Sequence, residues 1–125
     1  MTLAAAMMVV FIFANSEASF SSTDEEVSMQ VERGKGEVLL RLTIKDMSKY
    51  DHILIEKSSN NQNYFGQCKY ITCSEEKTVN GVLTKIDKYP FPATNDVFYR
   101  VKTVTKDGIS RAYPPVMLAS SNTSQ

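Results

Sequence analysis

The run Val97-Phe98-Tyr99-Arg100-Val101-Lys102-Thr103-Val104-Thr105-Lys106-Asp107-Gly108, answered by Ile109 to Leu118, constrains the fold of this chain more than any other stretch. Side chains of a strand point to opposite faces in turn, so Val97, Tyr99 and Val101 share one face and Tyr99 is expected in the core. Glycine accepts the positive φ of a tight hairpin turn, and Asp-Gly between two strand-like runs is a strong hairpin signal. Pro114-Pro115 interrupts the answering run. Proline cannot donate to a β-ladder, so that strand is expected to be bulged or at an edge.

The same period of two recurs upstream. Val27, Met29 and Val31 alternate with polar residues, and Val38, Leu40, Leu42 and Ile44 form the cleanest run in the chain. Ile53 and Ile55 point inward while Leu54 and Glu56 face the other way. Tyr64 to Thr72 and Val82 to Ile86 are two further strands. Between them lie turn residues, Ser58-Ser59-Asn60-Asn61 and Asn80-Gly81, whose short polar side chains bond nearby backbone or tolerate left-handed conformations. Tyr89-Pro90-Phe91-Pro92 is a rigid link, because each proline fixes φ. Gly34-Lys35-Gly36 lacks the Ser/Thr and helix of a phosphate-binding loop and is expected to be a turn. About seven short strands with no helical periodicity after residue 18 predict an all-β, seven-stranded, two-sheet sandwich over residues 27–119. The chain of 125 residues suits one domain of this kind.

The first 18 residues differ in kind. Leu3 to Phe13 is wholly apolar, and Ser16-Glu17-Ala18 places small residues where export leaders are cut, after Ala18. No Lys or Arg precedes the run, and the bland alternative is a buried first element. The run is shorter than the about 20 residues that span a bilayer. The expectation is a signal peptide over 1–18, a flexible lead-in over 19–26, the domain over 27–119 and a flexible tail over 120–125. Such a protein is secreted, periplasmic or on the cell surface, with no membrane span after the leader is removed. Fourteen basic residues balance fourteen acidic ones. Nucleic-acid binders carry a basic excess to meet phosphates, so no nucleic acid is expected as partner.

Four segments together resemble the fibronectin type III-like modules common in secreted Bacteroidetes proteins. They are Asp51-His52-Ile53-Leu54-Ile55-Glu56-Lys57-Ser58-Ser59-Asn60-Asn61-Gln62-Asn63-Tyr64; Asp87 with Pro90; Phe98-Tyr99-Arg100-Val101-Lys102-Thr103-Val104; and Lys106-Asp107-Gly108 with Tyr113. The resemblance spans about residues 37–118. Lys57, Asn60-Asn61, Thr105 and Pro114 depart from the family pattern at turn and surface positions. The resemblance implies an exported, non-catalytic, immunoglobulin-like sandwich.

His52 is the only histidine. A metal site or a nucleophilic triad needs partners around it, and its parity with Leu54 and Glu56 makes it a solvent-facing strand residue. Cys68 and Cys73 are the only cysteines. An exported protein with two cysteines invites a disulfide. Yet five steps of a straight strand separate them by about 16 Å, and a bridge needs Cα atoms within about 7 Å. A bond requires a turn or bulge between them; otherwise Cys68 serves as a small buried apolar residue. The acidic pairs lie on polar loops, and no carboxylate pair across a cleft is suggested.

The aromatics are the best candidates for function. Tyr64, Phe65, Tyr70, Tyr89 and Phe91 lie on or beside loops, where exposed rings stack on sugars or anchor an interface. The chain is therefore expected to be an exported binding or adhesion module, without enzymatic activity or cofactor, that recognises a protein or polysaccharide outside the cytoplasm. It is expected to be monomeric. The alternative is a structural spacer or envelope-complex subunit acting through an edge strand.

Overall fold

The computed structural model describes residues 17–20, 26–59 and 64–120. Residues 1–16 of the expected leader, 21–25 of the lead-in, 60–63, which include Asn60-Asn61 of an expected turn, and 121–125 of the tail lie outside the described residues. Nine strands are present among those described: β1 (Glu17–Phe20), β2 (Val27–Arg33), β3 (Val38–Ile44), β4 (Tyr50–Ser59), β5 (Gly66–Thr72), β6 (Val82–Asp87), β7 (Val97–Thr105), β8 (Ser110–Ala112) and β9 (Val116–Leu118). Every pairing is antiparallel, and the strands form two sheets. One has the order β1-β2-β3-β6. The other has the order β5-β4-β7-β8, with β9 also on β7.

The count exceeds seven for two reasons. Pro114 and Pro115 cannot join the ladder, so the last strand breaks into β8 and β9, both on the outer side of β7. Tyr113 bridges the break by donating its N–H to the Val101 carbonyl at 2.9 Å. The second reason is β1. Ser19 and Phe20, expected in a flexible lead-in, belong to a strand on the outer edge of β2, where they give that edge's backbone groups partners. Ala18, the expected last residue of the leader, sits opposite Val31.

The period of two decides what lies between the sheets. Val27, Met29, Val31, Val38, Leu40 and Leu42 from one sheet meet Ile53, Ile55, Val97, Tyr99 and Val101 from the other, all at most 1% exposed. Each such side chain contributes roughly 1.5–3 kcal/mol by leaving water. Turn chemistry holds the register. Asn80 and Gly81 have φ of 55° and 80°, the paired positive values of a type I′ turn. Gly108 has φ of 90° at the tip of the β7–β8 hairpin, and its N–H bonds the Thr105 carbonyl at 2.9 Å.

β4 sits at the centre of the second sheet, between β5 and β7. Its ladder with β5 shifts register between Ile55 and Glu56: Ile55 pairs with Lys69 but Glu56 pairs with Gln67. Cys68 is the extra residue of this bulge. Beyond it, β4 continues to Ser59, and Lys57 keeps the inward parity of Ile53 and Ile55. A lysine aimed between two sheets must find a partner.

Candidate functional site

The partner is Asp87, the last residue of β6 in the opposite sheet. Lys57 Nζ lies 2.8 Å from Asp87 Oδ2, with both side chains largely shielded from solvent. The same carboxylate accepts the Tyr99 hydroxyl at 2.8 Å and the Tyr89 N–H at 3.1 Å. Burial opposes ionisation of Asp87. The hydrogen bonds from Lys57 and Tyr99, the lysine charge and the Tyr89 N–H outweigh it, and the carboxyl is held below its ordinary value. The Tyr99 hydroxyl moves the other way: burial and then the Asp87 charge raise it.

Lys57 also reaches outward. Its ammonium donates to the Tyr89 carbonyl at 2.7 Å and stands 4.7 Å from the centroid of the Phe91 ring. Tyr89-Pro90-Phe91-Pro92 is thus clamped at one end by Asp87 and Lys57 and stiffened by proline on both sides of Phe91. The clamp forms one wall of a groove of about 250 Å³. Lys57, Ser58, Ser59, Tyr64, Gly66, Gln67 and Phe91 line it. Tyr64 is 73% exposed and Tyr89, beside the groove, 85%. Rings this bare do little for the core, whereas Phe91 is partly buried against it.

The five candidate aromatics therefore divide. Tyr64 and Phe91 share the groove, with Tyr89 next to it. Phe65 and Tyr70 lie elsewhere. Phe65 packs 4.2 Å from the Arg100 guanidinium, which is itself 2.7 Å from Glu56. Tyr70 stacks on His52 with centroids 4.8 Å apart and lies opposite Leu54. Both are on the outer face of the second sheet. His52 also sits 2.7 Å from Asp51 through Nδ1, so it is engaged in a local contact rather than a cluster. Among the described residues no group of three or more His, Cys, Asp or Glu is placed to hold a metal ion. No helix among them is long and apolar enough to cross a membrane.

The disulfide considered between Cys68 and Cys73 is not formed; both are free thiols. They lie at opposite ends of β5. Cys68 occupies the bulge near Asp87, and Cys73 opens the turn after Thr72, near Asp51 and Glu76. The bulge falls at Cys68 itself and does not fold the strand back between them. Burial, with the Asp87 charge second, pushes the Cys68 thiol up to about 11. Burial also raises Cys73.

A second concavity of about 410 Å³ lies by the β7–β8 hairpin, lined among others by Glu26, Lys49, Tyr50, Lys106, Arg111 and Tyr113. Three of its polar groups, Glu26, Lys49 and Tyr50, are engaged with one another. Lys49 Nζ reaches both Glu26 oxygens at 3.0 Å, and Tyr50 donates to Glu26 at 3.2 Å. Burial raises the Tyr50 hydroxyl, reinforced by Tyr113 and Glu26. Hydrogen bonds from Lys49 and Tyr50 lower Glu26.

Sequence reasoning missed Lys57 and Asp87 as the support of the groove. The available signal was two charged residues at inward-facing strand positions, Lys57 after Ile55 and Asp87 after Leu83. Comparison with protein-family models, curated proteins and solved structures returns no match.

Proposed function

We propose that this chain is an exported, non-catalytic binding module of fibronectin type III-like architecture, gripping a protein or polysaccharide at the Tyr64–Phe91 groove. The observation that carries the reading is the convergence of exposed aromatics on a rigid mount. Tyr64, Phe91 and the neighbouring Tyr89 come from two separate loops, and the Lys57–Asp87 pair holds one of those loops in place. Aromatic rings present large contact area with few torsions, and a pre-set backbone lowers the entropy lost on binding.

Strand order supports the architecture. Without β1, and with β8 and β9 counted as one broken strand, the first, second and fifth strands share a sheet and the third, sixth and seventh share the other. That is the partition of A, B, E against C, F, G in immunoglobulin-type sandwiches. Here the fourth strand, β5, joins the second group. Tyr99, on the sixth strand, ties its hydroxyl to the corner after β6, much as the tyrosine corner of that architecture does.

The non-catalytic reading draws on the carboxylates. Glu26, Glu32, Glu56, Glu76 and Asp87 are each in an ion pair with Lys49, Arg41, Arg100, Lys85 and Lys57. The export reading draws on the apolar run Leu3–Phe13 and the small residues before Ser19. Binding through an edge strand has less support. On three of the four sheet edges the chain carries devices that discourage strand addition: the β4–β5 ladder is bulged, Pro114-Pro115 breaks the β8–β9 edge, and β6 carries Lys85 at an inward parity; β1 is the fourth edge.

The test is capture of native extracellular or envelope material by the purified chain, compared with Tyr64→Ala and Tyr89→Ala. Capture that falls with both substitutions supports the groove. Capture unaffected by either would overturn it.

A further inference from the structure

We infer that the groove takes an uncharged saccharide, one ring of a neutral polysaccharide seated between Tyr64 and Phe91 with the chain running over Tyr89. The inference rests on the binding reading above and narrows it to one chemistry.

Charge favours a neutral ligand. Among the described lining residues Lys57 is the only ionisable group apart from the Tyr64 phenol, and its charge is spoken for. Asp87 lies 2.8 Å away, the Tyr89 carbonyl 2.7 Å, and the Phe91 ring covers it at 4.7 Å. An acidic sugar, a phosphate or an acidic peptide would find no uncommitted cation among the described lining residues. A basic ligand would find no carboxylate among them. The concavity at the hairpin end differs, since Glu26, Lys49, Lys106, Asp107 and Arg111 line it. By comparison the described lining of the Tyr64–Phe91 groove carries a single charge, already paired.

The groove also mixes two kinds of surface. Tyr64 and Phe91 supply aromatic walls; Ser59 and Gln67 supply neutral hydroxyl and amide groups. A pyranose has the matching pattern, with C–H faces that suit the negative face of an aromatic ring and hydroxyls around its rim that suit amides and hydroxyls. The size of the groove fits a single ring. The groove, at about 250 Å³, falls just below the usual range of ~300–1,000 Å³ for small-ligand pockets. That admits one ring of a longer ligand. The exposed rings of Tyr64 and Tyr89 then extend the platform beyond the recess. A peptide gains its main-chain bonds by adding to a regular open edge, and β5, the strand that begins at the groove, is bulged two residues on.

The experiment measures retention of the purified chain on cellulose, chitin, mannan and starch, and on the acidic polymer polygalacturonate. Each is run at 0.15 M and 1 M salt, between which the screening length falls from about 8 Å to about 3 Å. Tyr64→Ala and Tyr89→Ala are compared with Ile109→Ala, an exposed control at the hairpin end. The expected result is retention on at least one neutral polymer, equal at both salts. Either tyrosine change should weaken it about tenfold, and Ile109→Ala should leave it intact. Retention only on polygalacturonate and abolished by salt, or tyrosine-dependent capture of a protein with no neutral polymer bound, overturns the saccharide inference and leaves the binding reading standing. Absence of any binding that depends on Tyr64 or Tyr89 overturns both.

Discussion

Replacing Asp87 with Asn tests whether the Lys57–Asp87–Tyr99 node joins the two sheets as the geometry implies. The substitution keeps shape and removes charge. Asp87 Oδ1 receives the Tyr89 N–H, while Oδ2 receives both Lys57 and Tyr99. With Asn, the Oδ1 bond survives and an amide NH2 faces the ammonium, so the charged contact is lost outright. Breaking a buried pair by removing one partner costs about 3–5 kcal/mol. Lys57 retains the Tyr89 carbonyl and some solvent, which places the cost at the low end, about 3 kcal/mol. In a domain of this size each kcal/mol shifts Tm by about 4–8 °C, so a fall of about 15 °C is expected. Tyr99→Phe removes one hydroxyl bond and keeps the ring, for about 1–2 kcal/mol.

Acid sharpens the test. The folded pKa of Asp87 lies below its ordinary value. A carboxylate depressed on folding contributes fully above its unfolded pKa, about 3.9, and loses that contribution as pH falls through the folded value. Glu26 and Asp46 are lowered as well, but they are present in both proteins and cancel in the difference. Urea unfolding followed by circular dichroism at pH 7, 5, 4 and 3 should show a gap between the two proteins that is constant down to about pH 5 and narrows below pH 4. A gap under about 1 kcal/mol at pH 7, or one that does not narrow in acid, would refute the assigned role.

Three further outcomes follow from the same geometry. With its thiol near 11, Cys68 is roughly one-thousandth thiolate at pH 8, and Cys73 is buried, so iodoacetamide should label the folded chain far more slowly than the denatured chain, which takes up two groups; an intact mass lower by two hydrogens would instead reveal the bond the structure lacks. Gly108→Ala should cost about 1–2 kcal/mol by chemical denaturation, because φ is 90° and an added Cβ meets nothing within 4 Å, leaving conformation as the only term; no loss would mean the hairpin tip re-forms differently. Lys85→Val removes the inward charge on the β6 edge and should raise the mass seen by light scattering at high concentration; an unchanged mass would show that the edge is guarded by something else.

The strands were legible because period two is a local signal. Val38 to Ile44 and Val97 to Thr105 announce which residues face inward, and Asn80-Gly81 and Asp107-Gly108 announce where the chain reverses. Pro114-Pro115 was legible as a disruption of the last strand. The break into β8 and β9, and the β1 pairing that overrides the polar lead-in, depend on neighbours a short sequence window does not contain. The bulge at Cys68 is of that kind too. Lys69-Tyr70-Ile71-Thr72 carries no turn signal, and the extra residue becomes visible only once β5 is laid against β4.

The groove was harder to read for the same reason carried further. Its exposed rings could be named from their place in loops, yet loops alone do not say which rings meet. Tyr64 and Phe91 meet because β4 runs past Ile55 to Lys57, and because β6, in the other sheet, ends at Asp87 beside it. Thirty residues separate the two charges in sequence. A charged residue at an inward position is a statement that a partner exists, and the fold supplies that partner's identity. The node therefore carries two duties that sequence reading kept apart: it closes one end of the sandwich, and through the Tyr89 carbonyl and the Phe91 ring it sets the wall of the groove. Stability and the proposed binding at that end should accordingly fail together in Asp87→Asn, whereas the bare rings of Tyr64 and Tyr89 should be removable with the fold intact.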